Sequence, residues 1–277
     1  MVIKKILVPT DFSSFSGFAL IVASRIALRA GATLVLLHIS EKLKATHHVP
    51  VETGVIPEGK DSIRVELDRL VQEAALNGIK AEAVYVQSQG ADEIEDYIKP
   101  YEIDFIVMGS HGLKGIRSAI AGSSTRRLIR KAEVPVLVIK QSVDEKNQFK
   151  NIVFASTFRK DQSHALNHIV SFARYFESSI HVVFINLYYH LIREDVARET
   201  IARIMEKYKD VNYTVNISET NSEDYGIEDF AEKIDADLIS VVMENHLFVG
   251  GFLNLSVADK LIQKQSKPVL VINPSDR

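Results

Sequence analysis

The chain of 277 residues contains no cysteine. That excludes disulfides, thiolate nucleophiles and cysteine-ligated zinc or iron–sulfur centres, and it fits a reducing compartment. No window reaches 18 apolar residues, so no membrane-spanning helix is expected. The opening, MVIKKILVPTDFSS, has an apolar run of only four residues after two lysines, too short for a secretory signal. An excess of either charge is missing too. With 33 Lys and Arg against 36 Asp and Glu, the net charge is −3, and nothing draws the chain as a whole toward nucleic acid or an anionic membrane. Hydrophobic content of 46% and charged content of 25% are those of a globular protein. A soluble cytoplasmic protein is expected, with room for one large domain or two of ordinary size.

What is present is written twice. KILVPTDF from Lys5 corresponds to NIVFASTF from Asn151, and TLVLLHI from Thr33 to SIHVVFI from Ser179, both at a separation of 146. Further on, DFIVMGSH from Asp104 corresponds to DLISVVME from Asp237, and VPVLVIK from Val134 to KPVLVIN from Lys267, now at 133. Four matches in one order predict two copies of one domain, 1–143 and 149–277. The boundary falls in the polar stretch Gln141–Gln148. The change of separation places about 13 extra residues in the first copy, in the loop ATHHVPVETGVIPEGK after its second strand.

Within each copy short apolar runs alternate with periodic ones. The first reads as strand Ile3–Val8, helix Ser14–Arg29, strand Thr33–Ile39, helix Ser62–Asn77, strand Ala81–Val86, helix Ala91–Ile98, strand Phe105–Met108, helix Ser123–Ala132 and strand Val134–Ile139. Phe18, Ile21, Val22, Ile26 and Leu28 give the first helix its apolar spacing, with Ser13 or Ser14 as N-cap. The second copy repeats the order. Fully apolar strands between helices predict α/β architecture: two tandem doubly wound domains, each a five-stranded parallel sheet covered on both faces.

One stretch carries chemistry. MGSHGLKGIRSAIAGSSTRR, from Met108, follows the fourth strand and opens the fourth helix. In open parallel sheets ligands sit beyond the carboxyl ends of the strands. A helix N-terminus offers free N–H groups and the positive end of its dipole. Glycine lets backbone N–H groups approach an anion, and Ser123, Ser124 and Thr125 add hydroxyls. Lys114, Arg117, Arg126 and Arg127 add charge, with Arg130 and Lys131 one turn on. A polyphosphate is the natural guest; a solvated basic loop is the alternative. The spacing is neither G-x-x-x-x-G-K-[ST] nor a G-x-G-x-x-G after the first strand.

Gly109-x2-Gly112-x9-Gly122-Ser123 resembles the G-2x-G-9x-G-[ST] signature of the ATP-binding branch of the universal stress protein (UspA-like) family. MGSHG, VPVLVIK and KILVPTDFSS are similar to that family as well, and the resemblance covers both halves. It implies a Rossmann-like fold of the universal stress type, in tandem, binding ATP with Mg or Mn. It also implies that Pro9, Thr10 and Asp11 form the turn after the first strand, with Asp11 facing adenine and ribose. Ile39, which follows His38 at the end of strand two, matches an apolar residue whose backbone meets the adenine. Gly109 and Gly112 flank ribose and phosphates, and Met108 and His111 in the same MGSHG stand among the nucleotide-contacting positions. Gly122, Ser123, Ser124 and Thr125 match the positions that hold the phosphates. From local chemistry alone Asp11 can equally cap the first helix or its turn, and both roles can hold.

The second copy lacks these features. Gly109, Gly112 and Gly122 correspond to Val242, Asn245 and Leu255, and Asp11 to Thr157; only Ser123 survives, as Ser256. Gly109–Ala132 carries six Lys and Arg and no carboxylate, whereas 242–265 balances Glu244 and Asp259 against Lys260 and Lys264. The second copy is expected not to bind ATP in this mode and to serve as an internal partner, pairing with the first through the final strands, as domains of this family do; a homodimer of chains is a further expectation. Asp11 is the one obvious carboxylate near the loop, with Glu41 the next, and no catalytic residue is assigned. The function expected is a regulatory, stress-response module binding one ATP in its first domain and acting on a protein partner, not on nucleic acid or membrane. Two alternatives stay open: a slow ATPase or nucleotide-transferring enzyme, and an interaction protein taking AMP, cAMP or no nucleotide. The loop Thr46–Lys60 is a candidate lid.

Overall fold

The computed structural model describes residues 2–41, 60–88, 93–110, 123–144, 149–158, 161–243 and 256–274. These fall into two compact units, 2–110 with 123–143, and 144–274. The candidate lid, most of the glycine loop and its counterpart 244–255 lie outside the described residues. No described helix is long and apolar enough to cross a membrane.

The N-terminal unit runs β1 (Lys5–Pro9), α1 (Ser14–Ala30), β2 (Thr33–Glu41), α2 (Lys60–Leu76), β3 (Ala81–Ser88), a 3₁₀ turn Ile94–Tyr97, β4 (Phe105–Gly109), α3 (Ser123–Lys131) and β5 (Val136–Ile139). Its strands are parallel, in the order β3-β2-β1-β4-β5. The chain winds outward from β1 through β2 to β3, then crosses back to lay β4 on the other side of β1. The switch point is therefore between β1 and β4, where Ile6 pairs with Phe105 and Leu7 with Ile106. Ile6, Leu7, Val8, Ile106 and Val107 are wholly buried, as central strands covered on both faces must be.

The C-terminal unit repeats the plan with β6 (Asn151–Ser156), α4 (Ser163–Phe176), β7 (Ser179–Leu187), a 3₁₀ turn Tyr188–His190, α5 (Glu194–Met205), a 3₁₀ turn Glu206–Tyr208, β8 (Asn212–Thr220), α6 (Glu223–Lys233), β9 (Leu238–Val242), α7 (Val257–Lys264) and β10 (Val269–Ile272). The order β10-β9-β6-β7-β8 is parallel throughout and puts its switch point between β6 and β9.

Two expectations need correction. The helix predicted at Ala91–Ile98 is only the 3₁₀ turn Ile94–Tyr97 in its described part; four residues give too little apolar face to hold a longer helix on the sheet. On α1, Ile21 and Leu28 are exposed, and the buried face is Ser16, Ala19, Val22, Ala23, Ile26 and Ala27. Small side chains on that face let the helix backbone settle close to the strands. The helix expected at Ser163–Phe176 is α4 as observed, 14 residues against 17 in α1. Both helices end on a left-handed residue, Gly31 and Glu177, 146 apart. The shortening is thus at the N-terminus: α4 lacks most of the first turn that α1 possesses.

Candidate functional site

In the N-terminal unit the carboxyl ends of β1, β2 and β4 meet the start of α1. Pro9 closes β1, and the Thr10 N–H donates to Leu37 O at 2.8 Å, tying the turn to β2. Phe12 sits in the left-handed region at φ 61°, and its N–H donates to Thr10 Oγ1 at 3.1 Å. Ser13 is the N-cap of α1, its hydroxyl oxygen accepting from Ser16 N–H at 3.3 Å. Asp11 braces that cap: its Oδ1 accepts the Ser13 N–H at 3.0 Å and the Ser13 hydroxyl at 2.6 Å. Both bonds use Oδ1, on an exposed residue, so cap support and ligand contact are compatible on one carboxylate. Partial burial of the carboxyl by itself would raise its pKa. The hydroxyl and N–H of Ser13 outweigh that and hold it below the ordinary aspartate value.

Gly109 ends β4 with a packing reason of its own. A Cβ there would lie 2.4 Å from Phe15 O and 2.9 Å from Ser16 N. The first turn of α1 therefore rests on the backbone of β4, and Asp11 and Gly109 are brought to the same end of the sheet, as the β1–β4 pairing predicts. Ile39 lies in β2 and Met108 in β4, the latter buried. Ser123, Ser124 and Thr125 form the first turn of α3, with Thr125 buried. No acidic residue stands in that first turn. His111, Gly112 and Gly122 lie outside the described residues.

Two of the cations assigned to the phosphate loop have other partners. Arg127 pairs with Glu93 and reaches Glu95 at 3.5 Å, and Lys131 reaches Glu95 at 3.7 Å. The acidic segment after β3 packs against α3, so carboxylates stand closer to this helix than the sequence suggests. The C-terminal unit has a counterpart: Lys260 and Lys264, each 133 residues on, hold Asp224 of α6 at 3.1 and 2.8 Å. A cationic latch between these neighbouring elements is thus common to both copies, and it accounts for Arg127 and Lys131 without any ligand. No short-range sequence signal marks it, because the partners are more than thirty residues apart.

The C-terminal unit keeps the turn and loses the rest. Phe158 adopts φ 53°, and its N–H donates to Ser156 Oγ at 3.0 Å, as Phe12 does to Thr10. Thr157 stands where the first copy has Asp11. Asp161 does accept the N–H and hydroxyl of Ser163 at 2.9 and 2.7 Å, but four residues further along. With the first turn of α4 missing, Val242 can carry a side chain where Gly109 cannot. The α7 terminus is closed from within. Ser256 Oγ accepts from Asp259 N–H at 3.1 Å, while Asp259 Oδ2 accepts the Ser256 N–H at 3.1 Å and its hydroxyl at 2.9 Å. The crevice lined by Thr157, Ile185, Glu223, Val242 and Val257 encloses about 20 Å³, the space of a water molecule or so.

Comparison with known proteins agrees with this doubling. The universal stress protein family model matches twice, over residues 3–140 and 148–273. The universal stress protein YxiE of Bacillus subtilis is 29% identical over 146 residues, 50% of this chain and 99% of that protein. A universal stress protein of Thermus aquaticus is 30% identical over 142 residues, 50% of this chain and 98% of its own. The crystal structure of a universal stress protein from Archaeoglobus fulgidus superposes with a TM-score of 0.72 at 21% identity, covering 97% of this chain and 98% of that one. This chain belongs to the universal stress protein family, with two family domains in tandem.

Proposed function

We propose that this chain is a nucleotide-responsive stress module. It binds one ATP, with Mg or Mn, at the carboxyl ends of β1, β2 and β4, and signals the bound state to a protein partner. The domains are taken as 1–143 and 149–277, the second a non-binding companion that pairs with the first. In this reading Asp11 and Ile39 meet the nucleoside, with Pro9 and Thr10 shaping the turn and Met108 and Gly109 beneath it. Gly112, Gly122, Ser123, Ser124 and Thr125 serve the phosphates, with His111 beside them.

The observation that carries the reading is the contrast between two helix starts. The first turn of α3 is Ser-Ser-Thr with no carboxylate, which leaves its N–H groups and dipole to an anion. The equivalent turn of α7 is already occupied by the Asp259 carboxylate and the Ser256 hydroxyl, and a phosphate there would meet a negative charge.

Filter binding of labelled ATP to nucleotide-free protein, with AMP and cAMP as competitors, tests the reading. Saturable binding is expected, with ATP the strongest competitor and Gly122→Leu without binding. Folded, empty protein that retains no ATP would refute it, and preferential displacement by cAMP or AMP would replace the ligand.

A further inference from the structure

His38 has no part in the nucleotide-contacting set that the resemblance supplies, yet it touches the residues on either side of Asp11, Thr10 and Phe12. Its Nδ1 lies 2.8 Å from Thr10 O. A carbonyl oxygen only accepts, so Nδ1 carries the hydrogen, and in the neutral ring Nε2 is left unprotonated. The ring also meets Phe12, with centroids 4.8 Å apart at 31°, and runs parallel to Tyr85 at 6.3 Å and 5°. Arg64 of α2 stands 5.8 Å over Tyr85. A ladder of side chains thus leads from α2 through β3 and β2 to the Thr10–Phe12 turn.

The second copy supplies an internal control. Phe184 occupies the place of His38, and its register partner on the next strand is Ile217 rather than a tyrosine. Phe158 still adopts its left-handed φ of 53° and still donates to Ser156, with its ring stacked on Phe184 at 5.8 Å. The turn therefore forms with a phenyl ring in place of the imidazole. What the imidazole adds is one hydrogen bond to the carbonyl immediately before Asp11, in the copy that keeps the carboxylate and the glycine loop.

We infer that His38 is a positioning residue of the nucleotide site: its Nδ1–H fixes the Thr10 carbonyl, and with it the Asp11 carboxylate, in the geometry that receives the nucleoside. The inference rests on the function proposed above. Its physical basis is preorganisation, because a turn held in its bound form before the ligand arrives loses less freedom on binding. A left-handed phenylalanine persists only where its surroundings hold it, and His38 is one of the groups that do so here.

The test compares His38→Phe and His38→Asn with the unaltered full-length chain, by calorimetric titration with MgATP and by thermal unfolding. His38→Phe copies the second copy and is expected to fold with little loss of melting temperature, while the dissociation constant rises about three- to tenfold, the worth of one neutral hydrogen bond. Asn places an N–H donor near the position of Nδ1, so His38→Asn is expected to recover most of the affinity. Nitrogen-15 spectra of the histidine side chains are expected to show His38 as the Nδ1–H tautomer, with a signal that shifts on adding MgATP. Unaltered affinity in His38→Phe, or an Nε2–H tautomer, would overturn the inference while leaving the nucleotide reading intact. If His38→Phe fails to fold, a loss of about tenfold or more in a folded His38→Asn, which keeps the donor, would overturn it as well. An unaltered chain that binds no adenine nucleotide would sink both.

Discussion

An ideal Cβ on Gly109 would lie 2.4 Å from the carbonyl oxygen of Phe15: the end of β4 and the first turn of α1 meet backbone to backbone. In the other copy that helical turn is absent, and Val242 stands in the glycine's place. Loss of the turn and gain of the side chain are one change seen from two sides.

Gly109→Ala should therefore push the start of α1 outward. The expected cost is about 1–3 kcal/mol of stability, the usual range for forcing atoms into a packed contact, together with weakened nucleotide binding as the Asp11 turn shifts. Chemical denaturation with a parallel ATP titration reads both. A variant as stable as the parent would mean that the helix start yields without strain.

Asp11→Asn keeps an acceptor oxygen for the Ser13 N–H and removes the charge. Burial on its own would raise the Asp11 pKa, and the Ser13 bonds reverse this, so the folded value lies below the unfolded one. Such a group stabilises the fold above its unfolded pKa of about 3.9, and the benefit is lost as pH falls through the lower, folded value. The variant is expected to be slightly less stable than the parent at pH 7 and to converge with it in acid. Urea titrations at several pH values measure the gap; one that widens in acid would contradict the sign.

Asp224 is nearly buried beneath Lys260 and Lys264. Burial pushes its pKa upward, but the bonds from Lys264, Ser222 and Lys260 prevail and hold it far below the usual carboxylate range. Asp224→Asn should cost about 1–3 kcal/mol, as for charged hydrogen bonds with half-exposed partners. The loss should be present at neutral pH and above the unfolded pKa, and should fade only in strong acid. Thermal melts of parent and variant at pH 7 and pH 3 check it.

The two copies and their alternating strands and helices are legible in the sequence because central parallel strands are apolar throughout. Ser13 as helix cap is legible for the same local reason. The Arg127–Glu93 latch, the contact between Gly109 and Phe15, and the His38–Thr10 bond are not. Each joins residues that only the folded sheet brings together, and none leaves a periodic trace. Comparison of His38 with Phe184 was the one available hint, since a repeat shows which polar residues its fold can do without.

His168 shifts stability with pH in the same direction as the Asp11 and Asp224 carboxylates, but in a higher window. Burial, helped by the ring of His164 at 4.6 Å, pushes its imidazole down to about 4. Between the unfolded pKa near 6.5 and about 4 the unfolded chain takes up a proton that the folded chain refuses, so stability falls as pH drops across that window. His168→Gln should flatten this part of the stability profile. A profile unchanged by the substitution would place the pH dependence elsewhere.

The most direct measurement is a calorimetric count of MgATP sites on nucleotide-free, full-length protein. One site per chain is expected, lost in Gly122→Leu and retained in Ser256→Ala, because the proposed phosphate site lies at the α3 terminus while Asp259 caps α7. Two sites per chain, or one that survives Gly122→Leu, would contradict the division of labour between the two halves.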